Sequence, residues 1–497
     1  MSQFPIDALL ARICSEVRPG QTVLLQAPPG AGKTTRVPLA LIGALSEGQD
    51  VFGEHQKIWM IEPRRLATKA AAARLAATLG EEIGVRVGYA VRGEQKRSSQ
   101  TQVEVITDGL FLRRLQSDPS LDGVGCVIFD EFHERGRDAD LALALLREAR
   151  PLLNPDLAVM LMSATLDLSD LTERLPEATV LESPGRCYPV ETHHQPPRPD
   201  ESLPRQVLRA IERHAFDQPQ GSGVLVFLPG LAEIDRCRQT LAAAASLQNW
   251  KIQALHGQLP LQQQSSALQR CDPDQDGSII LASAIAESSL TIDGVRLVID
   301  SGLSRQLRYD PNTRMEGLET TVSSLASAEQ RRGRAGRQCP GQCIRLWSPA
   351  EQQRRPRFHP PELLLADPQP VLMELAQWGA GLGEELPWLD PPPAAAMQEA
   401  QRGLQQLGLL DQDGRISGTG RLISGLGVHP RLGMLLLAAH QRGEPQLGCD
   451  LAAILSERDP FDNRQIGSDL EARLNGIQRH PSLRSLSQQL HRQLKRL

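Results

Sequence analysis

A glycine-rich loop near the N-terminus has the residue types that bind a phosphate group. It follows the apolar run at 22–27 and precedes a stretch with helical character. A tight turn between a strand and a helix points backbone N–H groups at a phosphate, and the helix N-terminus adds partial positive charge. Lys33 is then placed to reach the β- and γ-phosphates of a nucleoside triphosphate, and the Thr34 hydroxyl to bind Mg²⁺. The candidate nucleotide-binding residues are Gly30, Ala31, Gly32, Lys33, Thr34 and Thr35.

Paired carboxylates end a second apolar run. Asp130 and Glu131 close the segment GCVIFDE, and His133 lies two residues beyond Glu131. At the edge of a parallel sheet, Asp130 can hold Mg²⁺ partly through water while Glu131 polarises the attacking water. Taken alone, the two acids also fit a helix N-cap and its first turn. The phosphate-binding loop upstream favours the hydrolytic interpretation.

An arginine-rich stretch supplies a third cluster. In the segment QRRGRAGR, Gln330, Arg334 and Arg337 stand at i, i+4 and i+7, so a helix would project them from one face. Arginines brought to a nucleotide across a cleft stabilise the charge on a transferring phosphoryl group, and Gln330 would help to place the water. In isolation, a solvated basic turn explains such a stretch more simply. The glycines between the arginines favour close approach to another group.

Short apolar runs alternate with helical stretches from residue 21 onward and predict the elements that position these clusters. Continuous apolar runs separated by helices are typical of parallel sheets covered on both faces. A second series of runs begins after the polar, proline-rich segment 193–204. The fold class is therefore α/β with two tandem parallel-sheet domains. The predicted divisions are an ATP-binding domain at 1–185, a second domain at 186–355 with a β-hairpin near 304–324, a winged-helix-like domain at 356–440 and a helical region at 441–497.

Composition limits the functional class. The 497 residues are 40% hydrophobic and 23% charged, which is typical of a soluble globular protein and excludes a coiled-coil rod or a disordered chain. The net charge of −5 argues against coating nucleic acid by bulk electrostatics, so such a partner would have to be gripped locally. The apolar runs are too short to cross a bilayer and the N-terminus lacks a signal-peptide pattern. We expect a cytoplasmic protein with no membrane partner.

The order of the motifs resembles that of the DEAH/RHA group of superfamily 2 helicases. The residues within the motifs are most similar to those of the bacterial HrpB-type ATP-dependent helicases. The resemblance covers most of the chain. The segments that carry the resemblance are APPGAGKTT (27–35), EPRRLA (62–67), TDG (107–109), DEFH (130–133), SAT (163–165), FLPG (227–230), ASAIAESSLTIDG (282–294) and QRRGRAGR (330–337).

The resemblance implies a function. In this family two RecA-like domains close over ATP and Mg²⁺, and single-stranded RNA lies across both domains, with typical movement from 3′ to 5′. Asp293 resembles a residue that binds the ribose of ATP, Arg74 a residue that stacks on adenine, and Ser163 with Thr165 a link to domain closure. The 304–324 hairpin resembles the strand-separating wedge. The implied RNA contacts are Arg64, Arg65, Thr107, Gly109, Pro229, Gly230, Ser283 and Thr291.

Two departures from the family pattern keep an alternative open. Ser283-Ala284 stands where the family has Thr-Asn, so an amide is lost, and the helical C-terminal region is truncated relative to the family. The sequence predicts an RNA helicase or remodeller that hydrolyses ATP. The alternative is a nucleotide-gated RNA clamp or adaptor with little unwinding. Preference for RNA over DNA rests on the resemblance alone, since backbone contacts need not distinguish the sugar.

Overall fold

The computed structural model describes residues 4–45, 50–53, 56–164, 168–183, 188–257, 259, 275–287, 292–456, 459–461 and 467–495. The chain forms two compact units, Met1–Leu365 and Ala366–Leu497. The described part of the first unit contains two large β-sheets, which with their helices we call the first and second lobes, and one two-stranded hairpin. The predicted α/β class with two tandem RecA-like sheets is confirmed. The predicted domain boundaries stay predictions.

The first lobe is an eight-stranded sheet with the order β4-β3-β5-β2-β6-β7-β1-β8. Its strands run parallel except for the antiparallel pair β3 and β4. All residues of β6 and β7 are buried, because helices cover both faces of the sheet. The strands are β1 (Thr22–Gln26), β2 (Lys57–Glu62), β3 (Val87–Val91), β4 (Glu94–Lys96), β5 (Val103–Thr107), β6 (Val124–Phe129), β7 (Ala158–Ser163) and β8 (Thr179–Glu182).

The second lobe is a parallel six-stranded sheet with the order β11-β12-β10-β13-β16-β9. Between its last two strands in the chain lies an antiparallel hairpin, β14 (Leu303–Asp310) and β15 (Met315–Val322), which turns in the region where the sequence predicts it. The sheet strands are β9 (Val190–His194), β10 (Ser222–Phe227), β11 (Trp250–Leu255), β12 (Gly277–Ala282), β13 (Val295–Asp300) and β16 (Gly341–Arg345).

Parallel pairing explains why distant motifs meet. The glycine-rich loop follows β1 and the Asp130–Glu131 pair follows β6, and only β7 separates these two strands. Loops that follow parallel strands emerge at the carboxyl edge of the sheet. The same edge of the second lobe carries Gly230 after β10, Ser283 after β12 and the hairpin after β13.

Helices connect the strands of the first unit. The described α-helices are Leu10–Glu16, Lys33–Leu41, Arg65–Leu79, Asp108–Ser117, Arg137–Leu153, Leu168–Arg174, Leu203–His214, Leu231–Ala242, Leu325–Arg332 and Pro349–Gln353. Short 3-10 helices occur at Pro5–Leu9, Phe132–Glu134, Ala245–Leu247, Ala284–Ala286 and Glu362–Leu364.

The arginine-rich stretch differs from the helix considered for it. The helix Leu325–Arg332 ends before Arg334, and turns and bends follow to Cys339. Gly333 follows the helix and caps its end, and the N–H of Arg334 bonds to the carbonyl of Arg331 at 3.0 Å, a tighter pairing than in an α-helix. Gln330 is therefore helical, while Arg334 and Arg337 extend from turns.

The second unit is helical in its described part, apart from one bridge between Leu410 and Ile416. Within the region 356–440 that the sequence predicts to be winged-helix-like, the described β-structure is limited to this pair, because Ser417 accepts a bond from Gly420 N and starts the helix Gly418–Leu426. Its helices are Pro368–Trp378, Ala394–Gln406, Gly418–Leu426, Pro430–Gln441, Pro445–Ser456, Leu470–Gly476 and Pro481–Leu494, with a 3-10 turn at Ile477–Arg479.

Among the described residues no single helix is long and apolar enough to cross a membrane. By length and composition alone, the pair Gly418–Leu426 and Pro430–Gln441 reaches that standard when taken together, with a bend of 104° between them.

Gly302, at the base of the hairpin, generates a stability prediction. Its φ is +71°, and a Cβ there would lie 2.3 Å from Arg355 Nη2 and 2.5 Å from Trp347 Cε3. Gly294 has φ +75° but an open surrounding. We expect Gly302→Ala to lower the free energy of unfolding by about 2–4 kcal/mol, and Gly294→Ala by only about 1 kcal/mol for the backbone conformation.

Urea unfolding followed by tryptophan fluorescence measures this difference, since the buried Trp347 and Trp250 report on the second lobe. Equal losses for the two variants would show that crowding at Gly302 contributes nothing.

Candidate functional site

The glycine-rich loop has the backbone expected of a phosphate cradle. Gly30 and Gly32 have φ values of +85° and +96°, which favour glycine, and Gly32 is the N-cap of the helix Lys33–Leu41. The N-terminal segment supports the loop from behind, because Ile6 N donates to Ala31 O at 3.1 Å and Arg36 Nε to Asp7 Oδ1 at 2.7 Å. No pattern in the sequence indicated this support.

Lys33 is buried among carboxylates. It is 5% exposed, and its Nζ lies 2.9 Å from Glu131 Oε1 and 4.0 Å from Asp130 Oδ1. Burial alone would lower the pKa of Lys33, but the two carboxylates outweigh that effect and the pKa is raised. The lysine therefore carries its positive charge at neutral pH.

Glu62 is a member of this cluster that sequence reasoning missed. It is the last residue of β2 and is 3% exposed. Burial, followed by repulsion from Asp130 and Glu131, raises its pKa well above the ordinary value. Its signal in the sequence was an acid at the end of an apolar strand, the same signal that marked Asp130.

The oxygen atoms beside Lys33 fit a magnesium ion. The Thr34 hydroxyl donates a hydrogen bond to Asp130 Oδ2, so a hydroxyl and a carboxylate meet at one point. Such hard oxygen donors are the ligands that Mg²⁺ takes in proteins, usually together with water and substrate phosphates. Burial raises the pKa of Asp130 and the neighbouring Glu131 adds to this, so the cluster holds more negative charge than Lys33 alone balances. A divalent cation would relieve that excess.

Glu131 sits on a left-handed backbone with φ +50° immediately after Asp130. Burial would raise its pKa, but the charge of Lys33 is the largest of the effects that outweigh this and lower the pKa, and the hydrogen bond from Lys33 and the charge of Arg334 add to it. Glu131 is therefore ionised at neutral pH. Its Oε2 is buried and accepts no hydrogen bond from the described residues. An ionised carboxylate with a free acceptor atom is suited to polarise a water molecule.

His133 and Gln330 join the two lobes. Gln330 Nε2 lies 2.8 Å from His133 Nε2, and His133 Nδ1 lies 3.5 Å from Glu131 Oε2. Burial lowers the pKa of His133, against the opposing effect of Glu131 and Glu134, so the imidazole is neutral. With its proton on Nδ1, the ring accepts from Gln330 and faces Glu131. The structure thus brings Gln330 of the second lobe to the carboxylates of the first.

Arg334 and Arg337 lie close enough to repel each other. Burial is the largest cause that lowers the pKa of Arg334, and the charge of Arg337 adds to it, while Glu131 and Glu287 oppose it. Arg334 Nε donates to the carbonyl oxygen of Glu287 at 2.9 Å. A buried and a half-buried cation that repel each other beside a phosphate-binding loop are suited to an anion with several charges.

The residues matched to the base and the ribose lie on the surface. Arg74 is exposed on the helix Arg65–Leu79. Asp293 is also exposed, and its Oδ1 accepts from Gln338 Nε2 at 2.6 Å. Ser163 is fully buried at the end of β7, where its carbonyl accepts from Ala27 N at 2.9 Å. Thr165 lies outside the described residues.

The RNA candidates occupy the carboxyl edges of both sheets. Arg64 Nη2 donates to Glu134 Oε2 at 2.9 Å, and Arg65 Nη2 lies 3.4 Å from Arg92 O. Glu134 is an acid that sequence reasoning did not identify. Pro229 precedes the half-buried Gly230, and the side chain of Arg305 in the hairpin packs close to Gly230. Thr107 and Gly109 flank Asp108 at the end of β5, and Ser283 caps the turn after β12. Thr291 lies outside the described residues.

Comparison with known proteins agrees with this fold and site. Residues 10–173 match the DEAD/DEAH box helicase family, and residues 206–339 match the helicase conserved C-terminal domain. The first match spans the glycine-rich loop and Asp130, and the second spans Arg334 and Arg337. The chain therefore contains a region that matches the DEAD/DEAH box helicases and a region that matches the helicase C-terminal domain, in agreement with the resemblance to the DEAH/RHA group.

Individual relatives are similar over nearly the whole chain. The ATP-dependent RNA helicase HrpB of Escherichia coli is 39% identical over 94% of this chain, and the probable ATP-dependent RNA helicase DHX34 of Mus musculus is 33% identical over 94%. A crystal structure of the E. coli DEAH/RHA helicase HrpB superposes with a TM-score of 0.89 at 38% identity over 99% of the chain. The chain spans 56% and 41% of the two relatives' sequences and 60% of the HrpB chain in that crystal structure.

Asp108 gives the carboxyl edge of the first lobe's sheet a pH-dependent stability. Burial and then the charge of Asp138 raise the pKa of Asp108 to about 7, and the charge of Glu362 adds to this increase. The hydrogen bond from the Gly109 N–H and the charge of Arg137 act in the opposite direction and lower the pKa. The folded protein keeps this proton between about pH 4 and 7 while the unfolded chain loses it, so stability falls as pH rises through that window. We expect Asp108→Asn to raise the free energy of unfolding above pH 7 by up to about 4 kcal/mol, and to change it little near pH 4.

Denaturation midpoints across this pH range check the prediction. The exposed Asp122→Asn in the same lobe is the control, and a parallel rise in both variants would contradict a special role for Asp108.

Proposed function

We propose that this protein is an ATP-dependent RNA helicase or remodeller. The observation that carries the proposal is the continuous line of contacts from Lys33 through Glu131 and His133 to Gln330, which connects the phosphate-binding loop of one lobe to the other. Hydrolysis at this seam would change the contacts between the lobes. The printed names of the relatives support RNA as the substrate.

In the proposed hydrolysis step, the loop 30–35 and Lys33 bind the triphosphate. Lys33 exchanges Glu131 for a phosphate oxygen, and this exchange frees Glu131 to orient the attacking water and accept its proton at Oε2. Thr34 and Asp130 would hold Mg²⁺, which would neutralise charge on the phosphates. The γ-phosphate leaves ADP and bonds to the water oxygen.

The second lobe completes the proposed site. Gln330 positions the water together with His133, and Arg334 and Arg337 stabilise the charge on the transferring phosphoryl group. Their repulsion in the structure is relieved when an anion lies between the lobes. Arg74 and Asp293 are proposed to contact the base and the ribose.

We propose that single-stranded RNA crosses the carboxyl edges of both sheets. Contacts to the sugar–phosphate backbone carry little base information, so sequence preference should be slight. DNA remains a possible substrate for such contacts. Movement from 3′ to 5′ and a cytoplasmic location complete the proposal. The RNA-binding residues are Arg64, Arg65, Thr107, Gly109, Pro229, Gly230, Ser283 and Thr291.

A nucleotide-gated RNA clamp is the second candidate, because Ala284 is exposed at the turn after β12 and offers no side-chain amide for a hydrogen bond. A duplex with a 3′ overhang separates the candidates. A helicase displaces the strand when ATP is added, whereas a clamp binds the overhang and leaves the duplex intact.

ATP hydrolysis should increase when single-stranded RNA is added. Lys33→Ala removes the phosphate contact and Glu131→Gln removes the proton acceptor, so each should lower kcat by at least about 100-fold. The exposed Lys96→Ala on β4 is the matched control and should behave as the parent. Phosphate release with and without RNA and DNA strands of equal length measures this. Hydrolysis that ignores nucleic acid would count against the motor.

Arg334 and Arg332 allow a matched comparison within one motif. Arg334 is buried beside Glu131, whereas Arg332 pairs with Glu329 on the surface at 2.7 Å. We expect Arg334→Ala to lower kcat by about 10³-fold with a smaller change in KM, because its charge acts mainly in the transition state. Arg332→Ala should retain kcat within about twofold. Steady-state kinetics with saturating RNA separates the two, and similar losses would place Arg334 outside the reaction.

A further inference from the structure

Arg331 is an interior arginine that the hydrolytic site does not use. It is 1% exposed and lies between Gln330 and the half-buried Arg332. Its Nε donates to Glu287 Oε1 at 2.7 Å, and its Nη1 donates to Asp300 Oδ1 at 2.7 Å and to Leu303 O at 3.1 Å. Its Nη2 donates to Ser304 Oγ at 2.8 Å. One guanidinium thus satisfies four groups in the protein interior.

These partners belong to different elements of the second lobe. Glu287 follows β12, Asp300 ends β13, and Leu303 and Ser304 begin the hairpin strand β14. The guanidinium carbon also lies 5.3 Å from the ring centre of Phe227 at the end of β10. A single side chain therefore connects the helix Leu325–Arg332 to three strand ends and to the hairpin.

Glu287 is shared between Arg331 and the nucleotide site. Its carboxylate binds Arg331, and its Oε2 accepts from Ser327 Oγ at 3.1 Å. Its carbonyl oxygen accepts from Arg334 Nε at 2.9 Å. A displacement of Arg334 toward a phosphate would therefore act on the same residue that holds Arg331.

The charges of Asp300 and Glu287 make the contacts of Arg331 rigid. Burial would lower the pKa of Arg331, but Asp300 and then Glu287 outweigh this and raise the pKa. A buried guanidinium that loses one carboxylate is left partly uncompensated, so it has to follow its partners when they move. A flexible, hydrated side chain would absorb the same displacement.

We propose that Arg331 is a positioning residue that transmits movement of Arg334 at the nucleotide site to the base of the hairpin, through Glu287 and Ser304. The inference rests on the proposed function, since it assumes that a nucleotide moves Arg334. It assigns to one buried arginine the coupling between hydrolysis and the element next to the RNA.

A purely structural role for Arg331 makes a different prediction. If the arginine only fills the interior, the loss of one hydrogen bond at Ser304 should change stability a little and should leave the response of the hairpin to nucleotide unaltered. Ser304 touches neither the phosphate-binding loop nor Arg334 in the contacts of the described residues, so its substitution tests the link without altering the hydrolytic groups.

The experiment compares Ser304→Ala with Thr321→Ala. The two residues face each other across β14 and β15, but Thr321 Oγ1 makes no hydrogen bond with the described residues. Amide hydrogen exchange of residues 303–310 is measured with and without ADP and aluminium fluoride. ATP hydrolysis and unwinding of a duplex with a 3′ overhang are measured in the same preparations.

In the parent and in Thr321→Ala, nucleotide should change the exchange rates at the hairpin base. In Ser304→Ala this response should fall by at least about threefold, and the number of base pairs unwound per ATP should fall with it, while kcat for ATP stays within about twofold. Arg331→Lys keeps the charge but not the fork of donors, so it should lose the hairpin response further.

Each contrary result shows whether the inference or the proposed function has failed. An unchanged hairpin response in Ser304→Ala would overturn the inference while leaving the helicase proposal intact. A hairpin that ignores nucleotide in the parent, although ATP is hydrolysed, would overturn it as well. A parent that neither binds nor hydrolyses ATP would contradict the proposed function itself, and the inference with it.

Discussion

The balance of charge around Lys33 is the constraint on which the rest of the structure depends. Three buried carboxyl groups, Glu62, Asp130 and Glu131, surround one ammonium group, and burial, followed by repulsion between the carboxylates, raises the pKa of Glu62 and Asp130. Buried charges are stable only when they are paired. A nucleotide accompanied by a divalent cation would supply both an anion for Lys33 and a cation for the excess carboxylates. The site is thus complementary to a metal-bound triphosphate and not to a phosphate alone.

The sequence predicted β1 and β6, the strands that precede the two clusters of the first lobe, and the edge where they end, because continuous apolar runs depend on local residue types. It also identified Lys33 and Asp130, whose neighbours in the chain define a loop and a strand end. It did not identify Glu62, Glu134 or Glu287, since an acid at a strand end or in a turn is most often solvated. Their roles depend on pairings between residues far apart in the chain, which parallel topology creates and local pattern does not record.

The arginine-rich stretch shows a second kind of limit. Its i, i+4 and i+7 spacing fits one helix face, but the helix ends at Arg332 and the later arginines extend from turns. The glycines indicated close approach to another group, and at Gly336 that group is the chain itself. A Cβ there would lie 2.6 Å from Tyr188 O, and Tyr188 N donates to Gly336 O at 2.9 Å. Packing against Tyr188 and against Val190 of β9 decides the geometry of Gly336, and helical periodicity contains no information about that contact.

The need to pair buried charge also explains the arginines at interior positions of the hairpin base. Arg331 and Arg355 hold the hairpin base from two sides, since Arg355 Nη1 donates to Gly302 O at 2.8 Å and to Ser323 O at 2.9 Å. Arginine suits such positions because its planar fork satisfies several acceptors at once. These interior arginines are not available to nucleic acid. Among the candidates at the surface, Arg64 is already bound to Glu134, so an RNA phosphate has to compete with a carboxylate for it. Binding through contacts that exchange one anion for another would be local and sensitive to salt, so a net charge of −5 is compatible with the proposed RNA binding.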